Sequence, residues 1–493
     1  MDSTTPTSVP ASSTSMKIVD HQNTKIVATI GPASSSYPKL LELVQAGVDI
    51  FRLNFSHGSH SDHQQVISHI SYINEKYNLH IGILCDLQGP KLRVGKIKDN
   101  ALPLEPDDIV TFVNEECLGT KEQIYMSYPQ FASDVKVGER VMVDDGKLVF
   151  EVVSTNGVDR VELKVLFGGV LSSNKGVNLP QTTISLPSLT EKDLRDLAFI
   201  LTQPIHWIAL SFVRSSKDVK DLRKRIEAAK HPAKIISKIE KPEALDNIDK
   251  IIKASNAVMV ARGDLGVEVP MERLPLLQKE IIQRCIQRAR PVIVATQMMD
   301  SMITNPSPTR AEITDVANAV LDGTDAVMLS GETSVGAHPV KVVEAMNKII
   351  EEAEKQKHLK RWTRPVPPKK SRTFLSDVVC FNAARTAEEV SAKAIIGMTS
   401  SGYTAFKVSS FRPAAAIYIF SDQVHMLATL NLLWGVRCFY YDKFTTTDET
   451  INDVIEILRQ NGEIKPGEII VNTGSMPLHR RHRTNMLKVT VVE

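Results

Sequence analysis

From Thr24 to about residue 330, short apolar runs alternate with longer stretches whose apolar positions recur every three or four residues. The runs fall at residues 25–30, 49–54, 81–86, 206–211, 234–240, 257–261, 291–296 and 325–330, and most are rich in Val and Ile. Nearly continuous apolar character is what a parallel strand needs when both of its faces are covered. The stretches between them, for example 216–230, 275–290 and 310–321, carry the one-sided stripe of an amphipathic helix. Eight such β/α units predict an α/β protein built on a (β/α)8 TIM barrel, whose functional residues belong at the C-terminal strand ends.

The alternation breaks once, between the third and fourth strands. Residues 91–187 hold short β-like segments (141–143, 147–153 and 161–166) and the turn signals Asp145-Gly146 and Asn156-Gly157. They predict an inserted β-rich lid domain over the barrel's functional face, where a mobile cover is useful. The stretch 361–368, with three prolines, reads as a stiff linker. Beyond it, strand-like runs at 394–398, 414–420, 436–441 and 468–471 predict a separate C-terminal three-layer α/β domain. Residues 1–15, rich in Ser, Thr and Pro, predict a disordered tail. The expected organisation is a barrel of residues 16–90 and 188–360, a lid of 91–187 and a C-terminal domain of 361–493.

Composition alters this picture little. Apolar residues make up 42% and charged residues 24% of 493, ordinary for a globular chain with ample core. A net charge of +2 sets up no field favouring nucleic acid or acidic membranes, and no apolar run reaches membrane-spanning length. The basic run His479-Arg480-Arg481-His482-Arg483 lacks interleaved aromatics, so no nucleic-acid partner is expected from it. Five scattered cysteines without a CxxC pair read as reduced thiols in a cytoplasmic protein.

Charge gathers at the strand ends. The fifth strand closes on Lys238-Ile239-Glu240, and alternate residues of a strand share a face, so the ammonium and the carboxylate point the same way. The sixth closes on Ala261-Arg262-Gly263-Asp264. Glu240 and Asp264 supply the hard oxygens that Mg²⁺ takes, and Lys238 a compact positive charge for a phosphoryl group. On the second strand Arg52, Asn54 and Ser56 share a face, and an Arg fork suits phosphate. Asp86, ending the third, is a candidate ion ligand, though a turn-capping role fits it too. Thr296 and Ser330 end the seventh and eighth, where hydroxyls can orient substrate or deliver a proton. In the C-terminal domain Thr399, Ser400, Ser401, Gly402 and Thr404 lie between a strand and a helix; an anion site and ordinary capping explain them equally well.

Taken together these residues resemble the pyruvate kinase family from about Thr24 to the C-terminus. The marks are residues 25–32 (KIVATIGP), 52–58 (RLNFSHG), Leu179-Pro180, 189–193 (LTEKD), 237–240 (SKIE), 261–266 (ARGDLG) and 295–298 (ATQM). The resemblance implies phosphoryl transfer from phosphoenolpyruvate to ADP, giving pyruvate and ATP. It implies Mg²⁺ on Glu240 and Asp264, with Mn²⁺ able to substitute, and a substrate phosphate held by Arg52 and Lys238. It implies a substrate carboxylate at the amides of Gly263 and Asp264 with Thr296, and a proton route near Thr296 and Ser330. Arg93, Lys175, Asn54 and His57 would face the nucleotide. A K⁺-type pocket would use Asn54, Ser56, Asp86 and Leu87. A homotetramer and a phosphorylated effector in the C-terminal domain also follow from the likeness.

One departure alters the cation expectation. Where potassium-activated members typically carry Thr, Lys and then Glu after the Asp, this chain has Leu87, Gln88 and Lys91. An ammonium in place of a carboxylate removes the need for a monovalent cation, and Lys91 can fill its place, so K⁺ is expected to be dispensable. Tyr403 stands where sugar-bisphosphate-regulated members often have Arg, which leaves AMP or a sugar monophosphate as effectors. A pyruvate-handling lyase or aldolase would also pair Glu and Asp around Mg²⁺ but would not need Arg52, Lys238 and a lid. A non-catalytic sugar-phosphate sensor would not need every charged position of the site filled.

Overall fold

The computed structural model describes residues 22–356, 371–443, 446–476 and 483–493. The N-terminal tail, the linker 361–368, Pro477 and residues 479–482 of the basic run lie outside the described residues.

Eight parallel strands close into a barrel: β1 (Lys25–Ile30), β2 (Ile50–Asn54), β3 (Gly82–Asp86), β4 (Trp207–Leu210), β5 (Lys234–Ile239), β6 (Ala257–Ala261), β7 (Val292–Ala295) and β8 (Ala326–Leu329). Each falls on one of the expected runs, and β8 pairs with β1 to complete the ring. The strands divide by parity. Val27, Ile50, Leu84, Trp207, Ile236, Met259, Ile293 and Met328 fill the interior, while Ile26, Phe51, Ile83, Ile208, Ile235, Val258, Val292 and Val327 pack outward on the helices. Continuing the interior parity to the C-terminal ends reaches Thr29, Arg52, Asn54, Asp86, Ser211, Lys238, Glu240 and Ser330. One alternation thus builds an apolar plug below and a polar mouth above.

The lid leaves after β3 and returns before β4. Its six-stranded sheet and a separate two-stranded ribbon enclose their own core around Phe112, Phe150 and Val165. The chain enters the lid through Gly89, whose φ of 69° suits glycine; a Cβ there would stand 2.8 Å from Phe212 Cδ2. The Gly89 N–H donates to Asp193 Oδ1 at 3.1 Å, and the other oxygen of Asp193 closes a capping box with Thr190. The Leu189–Asp193 segment therefore fastens the lid's first hinge.

The C-terminal domain is a five-stranded sheet between helical layers, with Ala383, Ala405 and Val408 on one face and Val454 and Leu458 on the other. Its edge strand, Met486–Val491, runs antiparallel and was not among the expected strands. This domain seats on the N-terminal end of the barrel. Leu432 joins the interior cluster, Trp207 Nε1 donates to the Thr429 carbonyl at 3.2 Å, and Arg412 pairs with Asp325 at 2.9 Å.

Candidate active site

Four charged side chains interlock at the ends of β2, β3 and β5. Arg52 donates through Nε to Asp86 Oδ2 at 2.8 Å, with Nη2 2.6 Å from the same oxygen, and through Nη1 to Thr29 Oγ1 at 3.0 Å. Lys238 Nζ lies 2.9 Å from Glu240 Oε1 and 3.5 Å from Asp86 Oδ1, and donates to Ser211 Oγ at 2.8 Å. Asp86 and Glu240 are each 1% exposed. Opposite charges near 4 Å in such a half-dry site attract by ~4 kcal/mol.

The titration behaviour follows from that packing. Burial alone would depress the Lys238 ammonium, but Asp86 and Glu240 outweigh it and hold its pKa well above the ordinary lysine value. Burial would raise Asp86, yet Lys238 and Arg52 overcome it and keep the carboxyl below its usual range. Glu240 goes the other way: burial pushes it up, Lys238 opposes, and neighbouring Asp264 adds to the rise.

That contrast bears on a metal. Glu240 Oε1 is buried against the Lys238 ammonium, and its carboxylate is raised by burial and then by a second one, Asp264. A buried carboxylate pushed up by a second acid beside it fits a divalent cation bound by one or two carboxylates plus substrate oxygens. Among the described residues no group of three or more His, Cys, Asp or Glu is placed to hold a metal. A hard ion held by Glu240 and Asp264 would take its remaining ligands from substrate and water.

The far wall comes from β6, β7 and β8. Asp264 lies in the helix Arg262–Glu268, which begins directly where β6 ends. The Gly263 amide, expected to receive a substrate carboxylate, donates here to Thr296 Oγ1 at 2.7 Å, so that ligand would have to replace the bond. Thr296 and Gln297 are held at φ 67° and 55°, a costly conformation for a β-branched residue. Arg262 clamps it, with Nη2 donating to the Thr296 carbonyl at 2.8 Å and Nη1 2.7 Å from Asp315. The Ser330 amide donates to Glu332 Oε2 at 2.6 Å, and the Met299 amide to Oε1 at 3.2 Å. Burial raises the Glu332 carboxyl. Ser211 and Glu332 were not singled out from the sequence. Ser211 could have been, because it sits one interior step beyond Ala209.

Between barrel and lid runs a cleft lined in part by Lys91, Asp145, Asn178, Arg214, Lys241 and Asp264. Arg93 on the lid side donates to the Asn174 carbonyl at 2.7 Å, and Lys175 pairs with Asp144 at 2.9 Å. His57 is exposed at the mouth; partial burial and then the charges of Lys91, Arg93, Arg52 and Lys192 push its pKa down. That cation-rich rim suits polyphosphate.

The expected monovalent-cation pocket is only partly assembled. Asn54 Oδ1 accepts the Ser56 amide at 3.1 Å, and Asp86 is occupied by Arg52 and Lys238. Leu87 buries its side chain in the core, while its carbonyl accepts Ser211 Oγ at 2.7 Å. Lys91 is exposed and makes no ion pair among the described residues. In the C-terminal loop, Thr399 Oγ1 accepts the Gly402 amide at 2.9 Å, Thr404 pairs with Thr484 at 2.6 Å, and Ser400 and Ser401 reach the surface. Tyr403 is tied to Asp377, which also holds Lys407 at 2.8 Å.

Phosphoryl transfer asks for positioning and charge stabilisation more than covalent help, and this mouth supplies both. Fold and site together define a class, the barrel phosphotransferases. Comparisons with known proteins narrow it. A family model described as the pyruvate kinase barrel domain matches residues 21–343, and one described as the pyruvate kinase alpha/beta domain matches 377–490. A pyruvate kinase of Corynebacterium glutamicum is 43% identical over 95% of this chain and 97% of its own length. One of Geobacillus stearothermophilus is 42% identical over 96% of this chain and 80% of its own. A crystal structure of a pyruvate kinase from Cryptosporidium parvum superposes with a TM-score of 0.90 at 32% identity, covering 96% of both chains. The chain belongs to the pyruvate kinase family.

Proposed function

We propose that the enzyme moves the phosphoryl group of phosphoenolpyruvate to ADP. The observation that carries this reading is the buried Arg52–Asp86–Lys238–Glu240 network beside Asp264, open to a cation-rimmed cleft under the lid. In the reaction the bond between phosphorus and the enol oxygen breaks and one to the ADP terminal oxygen forms. The enolate left behind takes a proton at its methylene carbon to give pyruvate. Arg52 and Lys238 hold and neutralise the phosphoryl group. Gly263, Asp264 and Thr296 receive the substrate carboxylate. Thr296 and Ser330 line the proton route. Arg93, Lys175, Asn54 and His57 face the nucleotide. Glu240 and Asp264 would bind Mg²⁺, or Mn²⁺ in its stead, which supplies charge neutralisation between substrate oxygens.

The reading extends to K⁺ independence. It is supported by Leu87, Gln88 and Lys91 after Asp86. Family membership supports a homotetramer and a phosphorylated effector at Thr399–Thr404. No described helix is long and apolar enough to cross a membrane, in keeping with a cytoplasmic location. A lactate dehydrogenase-coupled assay in tetramethylammonium buffer tests the proposal. Full turnover with Mg²⁺ alone is expected; strong activation on adding KCl would refute the potassium part, and no pyruvate the whole.

A further inference from the structure

Glu268 closes the helix in which Asp264 sits, and it is only 4% exposed. Its Oε1 lies 2.5 Å from Lys241 Nζ and accepts Asn178 Nδ2 at 2.8 Å; its Oε2 is buried without a hydrogen-bond partner. Lys241, 5% exposed, directly follows Glu240. Asn178 belongs to the lid, three residues beyond Lys175. One carboxylate therefore ties together three segments, each of which carries a proposed site residue.

A buried ion pair is a poor way to gain stability, because desolvation offsets the attraction and apolar side chains of similar volume serve a wall as well. It does fix geometry. Among the described residues, Asn178 to Glu268 is the one side-chain hydrogen bond joining the body of the lid to the barrel. The other links, from Arg214 to the Ile184 and Leu186 carbonyls, grip only the returning strap. The lid turn at Gly146 approaches the same helix, since a Cβ there would stand 3.6 Å from Val267 Cγ1.

We infer that Glu268 is a positioning residue that sets the lid's register against the elements bearing Glu240 and Asp264, and so places the lid's nucleotide-facing residues over the site. The inference rests on the assignment of Lys175 to the nucleotide.

A donor–acceptor swap tests it. Asn178→Asp sets two carboxylates against each other and should raise the KM for ADP about tenfold, the scale for losing a hydrogen bond to a charged group. The KM for phosphoenolpyruvate and direct Mn²⁺ affinity should stay within about twofold, since neither depends on lid register. Adding Glu268→Gln moves the negative charge across the contact, leaves Lys241 a partner, and should recover most of the ADP affinity. Unchanged ADP KM in Asn178→Asp, or a double variant no better than the single, overturns the inference. Failure of that underlying assignment shows separately, as an unchanged KM for ADP in Lys175→Met.

Discussion

At the scale of single residues the mouth works by unequal treatment of its acids. Asp86 is held ionised by Lys238 and Arg52 and serves as their fixed counter-ion. Glu240 is pushed up by burial, which Lys238 opposes and Asp264 reinforces. Its raised pKa favours the protonated, metal-free fold: that stabilisation is present below the ordinary glutamate value and is lost as pH rises through the higher folded one. Below that raised pKa, Mn²⁺ must compete with a proton. Its affinity should therefore fall on acidification with a midpoint above the ordinary glutamate pKa of about 4.3, and Glu240→Gln should weaken binding at neutral pH by at least about tenfold. Titration of Mn²⁺ at stepped pH reads both, and an affinity flat from neutrality down to that value would exclude Glu240 as a ligand. Alternation had already placed Lys238 and Glu240 on one face. What it could not place was Thr296, whose left-handed turn leaves the strand rule, or Lys91, whose side chain lies exposed at the mouth.

Elements were legible where burial on both faces wrote them as apolar runs. All eight barrel strands have that form, and β1 and β6 match their expected bounds residue for residue. The strand Met486–Val491 was hidden because it is an edge strand, half polar and largely exposed, and its Lys488 and Thr490 break the apolar run. The hinge at Gly89 was hidden as well, since its meaning comes from Asp193, more than a hundred residues away. Gly89→Ala should lower stability by about 1–3 kcal/mol through forced positive φ and the clash with Phe212. A urea midpoint measures this. A variant as stable as the parent would mean that the loop has room the geometry denies.

At the scale of the whole molecule, the C-terminal domain is the floor of the barrel as well as the candidate effector domain. Leu432 caps the interior stack whose upper end carries Lys238, and Arg412 and the Trp434 amide converge on Asp325 beneath β8. No local pattern announces such docking, because it joins residues some hundred to four hundred positions apart. Arg412→Met leaves Asp325 buried without its cation and should cost ~3–5 kcal/mol. Calorimetry should then resolve the C-terminal domain as a separate, earlier transition; one unshifted transition would deny the docking that role. The central claim is that a single ammonium at the barrel mouth stabilises the phosphoryl group in flight. Turnover of phosphoenolpyruvate and ADP by Lys238→Met, with the fold verified by circular dichroism, tests it most directly. The predicted result is native structure with a loss of at least ~10²-fold in rate, and near-normal turnover would contradict the account.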